Sequence, residues 1–269
     1  MEPANKSAVV FGVPVFNEEG NVARLLTNLG EVSRSGGRAY RILICNDGST
    51  DKTRDIIEAH PETLGGHVVL LNQPRNLGVA RAFERIYDET LALGLPWSEG
   101  ILVTMEGDNT SDPGILPDLL RKIEGESCDV SLASCYAPGG KILNTDFHRV
   151  FLSRCANLFT RVAFAYFGIW HVHTFSSFYR ACRIPFLRAA HAHYGDTFVS
   201  SAGFECMVET LARLAARGAR IGEVPMVLDG SIRLGVTKLR IRKTTMGYFR
   251  LVASLYAPRS VAAHLVGKR

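Results

Sequence analysis

The chain has 269 residues, 46% of them hydrophobic and 21% charged, with a formal net charge of +5. That is ample for one large α/β domain, or a domain with a C-terminal extension. The charge is too mild and dispersed for a nucleic-acid partner, and it suits anionic small molecules or a membrane surface.

Six scattered cysteines (Cys45, Cys128, Cys135, Cys155, Cys182 and Cys206) make no Cys-x-x-Cys pair. Neither a zinc site nor a disulfide framework is indicated, which points to a reducing, cytoplasmic compartment. Residues 1–6 have no secretory character, and the longest nearly apolar run, 162–170, falls short of the roughly 20 residues a membrane span needs.

In chain order, residues 8–16 read as a buried strand ending in Pro14-Val-Phe-Asn-Glu18. Val22, Leu25, Leu26 and Leu29 then recur at helical spacing until Gly36-Gly37. A second strand, 40–45, meets Asn46-Asp-Gly-Ser-Thr-Asp51 and a helix to about residue 60. A third strand, 67–72, is followed by Arg75-Asn-Leu-Gly78 and a helix with Val79, Phe83, Ile86 and Leu91 on one side. The fourth strand is 101–105. This alternation predicts a doubly wound, mostly parallel sheet with polar turns at the ligand-binding rim. Further on, the pattern predicts strands at 128–134, 174–180 and 221–228, and helices at 150–167 and 204–217. Residues 1–230 read as the catalytic domain and 231–269 as a basic, amphipathic C-terminal segment, packed on that domain or on a membrane surface.

The fourth strand ends in the densest chemistry of the chain, Glu106-Gly-Asp-Asn-Thr-Ser-Asp112. Glu106 and Asp108 are two positions apart and share a face in extended geometry. Paired carboxylates favour a cation between them, and an all-oxygen set selects Mg²⁺ or Mn²⁺ over zinc. The competing reading is a polar strand-to-helix turn capped by Ser111 or Asp112 before Pro113.

Taken together, the four strand-end motifs resemble the family-2 inverting glycosyltransferases, closest to the dolichyl-phosphate mannose synthase-like branch. The likeness continues through Ser134-Cys-Tyr-Ala-Pro-Gly-Gly140, Thr174-Phe-Ser-Ser-Phe178, Gly203-Phe-Glu205, Ile221-Gly-Glu-Val-Pro225 and Arg233-Leu-Gly-Val-Thr-Lys238. The resemblance implies a glycosyltransferase A-type sheet and a nucleoside-diphosphate sugar donor. It places Pro14, Phe16, Glu18, Cys45 and Asp47 around the donor's base and ribose. Glu106, Gly107 and Asp108 would sit at the donor diphosphate, with Glu106 and Asp108 on the metal. Arg233 and Lys238 would meet the donor phosphates. From the residues alone, Asp47 equally suits an Asx-turn and Phe16 a core aromatic.

Three departures concern this chain. Glu106 replaces the family's usual Asp. Cys135 stands where users of lipid phosphate carry an Arg, and His173 stands where an Asp is common. Arg149 remains as a phosphate contact, so Glu106, Asp108 and Arg149 are assigned to the reaction. The acceptor is read as a polyprenyl phosphate, with peripheral contact at the inner face of a membrane. A glycan or other hydroxyl acceptor, with Asp196 or Glu205 as base, and a degenerate nucleotide-sugar-binding protein are the alternatives.

Overall fold

The computed structural model describes residues 6–165, 168–232 and 241–256. Its strands are β1 (Val9–Val15), β2 (Tyr40–Asn46), β3 (Val68–Asn72), β4 (Ile101–Thr104), β5 (Val130–Ser134), β6 (Lys141–Leu143), β7 (Arg180–Arg183), β8 (Ile221–Pro225) and β9 (Val227–Asp229). Seven of them form one sheet in the order β3-β2-β1-β4-β7-β5-β8, while β6 and β9 pair separately. Only β7 runs antiparallel to its neighbours in the large sheet. This is the mostly parallel α/β architecture that the alternation predicts.

The helices are α1 (Val22–Ser35), α2 (Thr53–Ala59), α3 (Pro61–Leu64), α4 (Val79–Ala92), α5 (Leu116–Glu124), α6 (Phe147–Ala163), α7 (Ile184–Tyr194), α8 (Cys206–Ala216) and α9 (Ile241–Tyr256). Helices cover both faces of the sheet, so its strands are apolar on both sides. On one face Val9, Phe11, Val13 and Val15 pack with Leu25, Leu26 and Leu29 of α1 and Leu119 and Leu120 of α5. On the other, Val10 packs with Phe83 and Ile86 of α4, Leu187 of α7, and Met207 and Leu211 of α8. Gly12 lies on this second face, where a Cβ would collide with Ile86, so the glycine lets α4 close on the sheet. Leu251 of α9 is buried in the same core, which docks that helix on this face of the fold. No helix of the described residues is long and apolar enough to cross a membrane.

Several expected elements differ. The strand expected at 174–180 is replaced by a loop leading into β7, because side chains take up its amides. Glu223 accepts from the backbone N–H groups of His173 and Thr174, and Asn157 accepts from that of Phe175. The last strand breaks at Met226, whose N–H donates to the Ser134 carbonyl while its own carbonyl receives Lys141 N–H. That exchange splits the segment between two sheets. The helix expected from 150 begins at Phe147, capped by the Asp146 carboxylate on His148 N–H. The helix expected at 204–217 is buried continuously from Cys206 to Ala215 rather than on one side. The α7 helix and the β6 strand had no counterpart in the pattern reading.

Candidate active site

The strand order reverses beside β1, with β2 on one side and β4 on the other. Open parallel sheets bind ligands in the crevice at such a reversal, at the carboxyl ends of the strands. The segment after β1 carries Phe16 and Glu18 to this rim, and the segment after β4 carries Glu106, Gly107 and Asp108. A Cβ on Gly107 would lie 2.9 Å from Val15 Cγ1 and 3.1 Å from the Pro14 carbonyl oxygen. The glycine therefore lets the two strand ends touch, and it brings the first and fourth motifs into one site.

Around this contact the polar groups hold one another. The Ser111 hydroxyl donates to Glu106 at 2.7 Å, and Thr110 donates to Asp108 Oδ1 through its hydroxyl at 2.6 Å and its N–H at 3.1 Å. Asn109, in the left-handed region at φ 58°, turns the chain inward and donates from its side chain to the Asn21 carbonyl. Asn21 in turn donates to Glu18 Oε2 at 2.8 Å, and Glu18 N–H donates to the Thr53 hydroxyl. The Asn21 and Asn109 amide oxygens are buried with no partner among the described residues.

Among the described residues, no group of three or more His, Cys, Asp or Glu side chains could hold a metal by itself. The protein offers two carboxylates in an all-oxygen setting. That fits Mg²⁺ or Mn²⁺, which are held by one or two carboxylates with substrate phosphate oxygens and water completing the shell. The fit is therefore to a metal that arrives with a diphosphate.

Asp47 is almost fully buried at the end of β2. Its two oxygens accept from Leu77 N–H at 2.7 Å and Gly78 N–H at 2.9 Å. Burial raises its pKa despite those two bonds. Asp47 thus fixes the Asn76-Leu-Gly78 turn, a long-range role different from both the ribose or base contact and the local Asx-turn that its motif suggests. Asp51 does similar work for the first loop. Its carboxyl accepts from Glu19 N–H and from the Thr53 N–H and hydroxyl. Burial opposes ionisation there, but these donors outweigh it and lower the pKa. The Cys45 side chain lies in the core, accepts from Gln73 Nε2, and has its pKa raised by burial to about 11. At the donor crevice it can offer only backbone.

A second polar cluster begins where β5 ends. The Ser134 and Thr174 hydroxyls bond at 2.7 Å, and Ala137 N–H donates to Ser134 Oγ. Burial first, then the Glu106 and Glu223 carboxylates, push the Cys135 thiol up to about 11. Cys135 is therefore an uncharged side chain at neutral pH. His173 Nδ1 bonds Glu223 Oε2 at 2.7 Å, so the His173 ring and backbone are pinned to β8. Glu223 was legible in its motif but not as the anchor of this loop.

Of the two carboxylates weighed as a base, Glu205 occupies the N-cap position of α8 without a side-chain capping bond, and it lies against α9, where a Cβ on Gly247 would be 2.6 Å from its Cδ. Asp196 is exposed on a turn near Asp88, nine residues along α4 and so about 13 Å from the rim end of that helix. Arg149 belongs to the first turns of α6. Arg233 and Lys238 lie outside the described residues.

Sequence reading missed a cavity of about 280 Å³ that starts at Cys135 and Tyr136. Ser153, Asn157 and Thr160 of α6 form one wall, and Phe175, Phe204 and Tyr248 of α9 close it. No period in the sequence marks it, because its lining comes from several separate segments.

The glycosyl transferase family 2 profile matches residues 11–188. The chain belongs to this family. It is 26% identical over 239 residues to the polyprenol monophosphomannose synthase of Mycolicibacterium smegmatis, covering 89% of this chain and 83% of that one. With the undecaprenyl-phosphate mannosyltransferase of Micrococcus luteus it shares 28% identity over 215 residues and 80% of each chain. The fold matches that of glucosyl-3-phosphoglycerate synthase from Mycobacterium tuberculosis, solved with Mn²⁺ and UDP-glucose. That likeness has a TM-score of 0.57 at 16% identity, covering 98% of this chain and 80% of that one. The family and these named transferases make the chain a glycosyltransferase.

Proposed function

We propose that this glycosyltransferase moves a sugar from a nucleoside-diphosphate sugar to a polyprenyl phosphate, with inversion and with a divalent cation. The observation that carries the reading is the double role of Cys135. It lines the apolar cavity, and its thiol feels the Glu106 carboxylate of the donor crevice. A polar, carboxylate-bearing crevice and an apolar cavity thus meet at one residue, as a donor and a lipid acceptor require. The acceptors named for the Mycolicibacterium and Micrococcus relatives agree with this assignment, and the Mn²⁺ and UDP-glucose of the tuberculosis enzyme agree with the donor and the metal.

In this reading Asp108 and Glu106 hold Mg²⁺ or Mn²⁺ at the donor diphosphate. A divalent ion held there supplies the positive charge that stabilises the departing nucleotide diphosphate. Pro14, Phe16, Glu18 and the backbone near Cys45 form the wall for base and ribose. Asp47 keeps the Asn76-Leu-Gly78 turn in place beside them. Arg233 and Lys238 are assigned to the donor phosphates and Arg149 to the acceptor phosphate. A phosphate oxygen is already ionised at neutral pH and attacks the anomeric carbon opposite the leaving oxygen without a general base. Uncharged Cys135 leaves Arg149 and the cation to supply the positive field.

The test is a donor panel with Mn²⁺ or Mg²⁺, scoring nucleotide release with and without lipid phosphate. Release that needs both the cation and the lipid phosphate supports the reading. Release unaffected by chelator and indifferent to lipid phosphate overturns it.

A further inference from the structure

The α6 helix is built inside out. Phe147, Phe151, Leu158 and Val162 are 74%, 56%, 63% and 58% exposed. At 100° per residue these four fall within about 60° of the helix circumference, forming a single outward stripe. The opposite side carries Ser153, Ala156, Asn157 and Thr160, which face the cavity. A helix on a water-facing surface normally has the reverse arrangement. The apolar surface continues onto α9, where Phe249 meets Phe159 with ring centroids 4.9 Å apart and planes tilted by 57°, and Phe249 and Met246 are both 54% exposed. Half-exposed Trp170, whose carbonyl receives Arg161 Nε, extends the same neighbourhood. Apolar surface of this extent is a docking site for something.

Charge decides the occupant. No Asp or Glu occurs in residues 147–195 or 230–269, whereas Arg154, Arg161 and Arg250 lie in α6 and α9 themselves. Two copies meeting through this face would set arginines against arginines with no acid in either helix to pair them. An anionic bilayer satisfies both features, taking the aromatic stripe into its headgroup boundary and the arginines at its phosphates. We propose that α6 and the adjoining face of α9 seat the enzyme on an anionic membrane surface. Leu152 is 45% exposed and also lines the cavity, so cavity and docking face share a wall. The proposal deepens the lipid-phosphate reading by giving the acceptor's chain a route from the bilayer.

The test compares the full chain with a Phe151→Ser/Leu158→Ser variant and with Arg154→Glu. Each is sedimented with vesicles of phosphatidylglycerol and phosphatidylcholine, or of phosphatidylcholine alone, at low and high salt. The unmodified chain should partition onto the anionic vesicles and be released by salt. The double variant should lose about tenfold or more of that partition, and Arg154→Glu should lose less. All three chains should melt alike, since the changed side chains face outward. Turnover of a short, water-soluble prenyl phosphate should be unchanged in the variants, while turnover of vesicle-borne acceptor falls with the binding.

Absence of vesicle binding by the unmodified chain, or equal binding by the double variant, overturns the proposal. So does a dimer of the unmodified chain that dissociates in the double variant. The sedimentation result decides the membrane face whatever the turnover shows. Failure of the unmodified chain to use either acceptor counts instead against the proposed function.

Discussion

The proposed donor crevice and the proposed acceptor cavity of this enzyme are built on opposite principles. In the crevice, short loops after β1, β2 and β3 are tied by carboxylates to one another's backbone, and the Asn109 amide ties the loop after β4 to the Asn21 carbonyl. Asp47 holds Leu77 and Gly78, and Asp51 holds Glu19 and Thr53. On the other side a cavity is enclosed largely by apolar side chains gathered from α6, α8, α9, the β6 and β9 strands and the loops between them. The first arrangement fixes a charged ligand in one pose. The second accommodates a ligand recognised mainly by its apolar bulk. Donor-side changes should accordingly cost turnover or fold, and acceptor-side changes should cost acceptor affinity.

The largest effect belongs to Asp108→Asn. It keeps the shape and removes a charge at the proposed diphosphate, so turnover should fall on the order of 10³-fold with an unchanged melting curve. Titrating Mn²⁺ against activity checks it. Near-normal activity of Asp108→Asn in excess chelator ends the metal assignment.

Next comes Asp47→Ala, which strands the Leu77 and Gly78 N–H groups. An unsatisfied buried donor costs about 1–3 kcal/mol, so the pair should destabilise the chain by roughly 2–4 kcal/mol in urea unfolding. A stability loss below about 0.5 kcal/mol would show that water replaces the carboxylate and that this crevice is less rigid than the comparison requires.

On the acceptor side, Arg149→Ala should raise the KM for lipid phosphate or lower turnover by about tenfold or more, leaving donor binding alone. Glu205→Gln should change little, because an ionised phosphate needs no base. The reverse pattern, with Arg149→Ala fully active and Glu205→Gln inactive, would transfer the assignment to a hydroxyl acceptor. The smallest effect is expected for Ala156→Phe, which fills part of the cavity. The acceptor KM should rise several-fold, on the order of the 1–3 kcal/mol by which apolar pockets discriminate, with donor KM unmoved. Equal loss for donor and acceptor would blur the two sides into one.

The same contrast separates what was legible from what was not. The donor side could be read because each motif follows directly on an apolar strand, and the parallel order carries all four to one rim. Residues such as Glu18, Asp47 and Asp108 are local signals on a regular scaffold. Even so, the motif reading could not tell that the Asp47 carboxyl is taken up by the next loop, since that bond spans 30 residues.

The acceptor side gave no comparable signal. Phe147, Phe151, Leu158 and Val162 of α6 face outward, so an apolar pattern that marks the helix does not mark which side meets the interior. The Thr174 segment has the β-rich composition of a strand, yet Glu223 and Asn157 capture its amides and hold it as a loop. Pro225 and Met226 look like one strand with their neighbours, but the Ser134 carbonyl diverts the chain between sheets. These are long-range hydrogen bonds, and no local pattern encodes them.

The central claim is transfer of the donor's sugar to a lipid phosphate. It is tested most directly by following label from a sugar-labelled nucleotide donor, with Mn²⁺ and a polyprenyl phosphate, into the organic phase. The account predicts a labelled, organic-soluble prenyl phosphosugar of inverted anomeric configuration, absent with chelator and absent in Asp108→Asn. Label that appears only on a water-soluble hydroxyl acceptor, with the polyprenyl phosphate untouched, would contradict it.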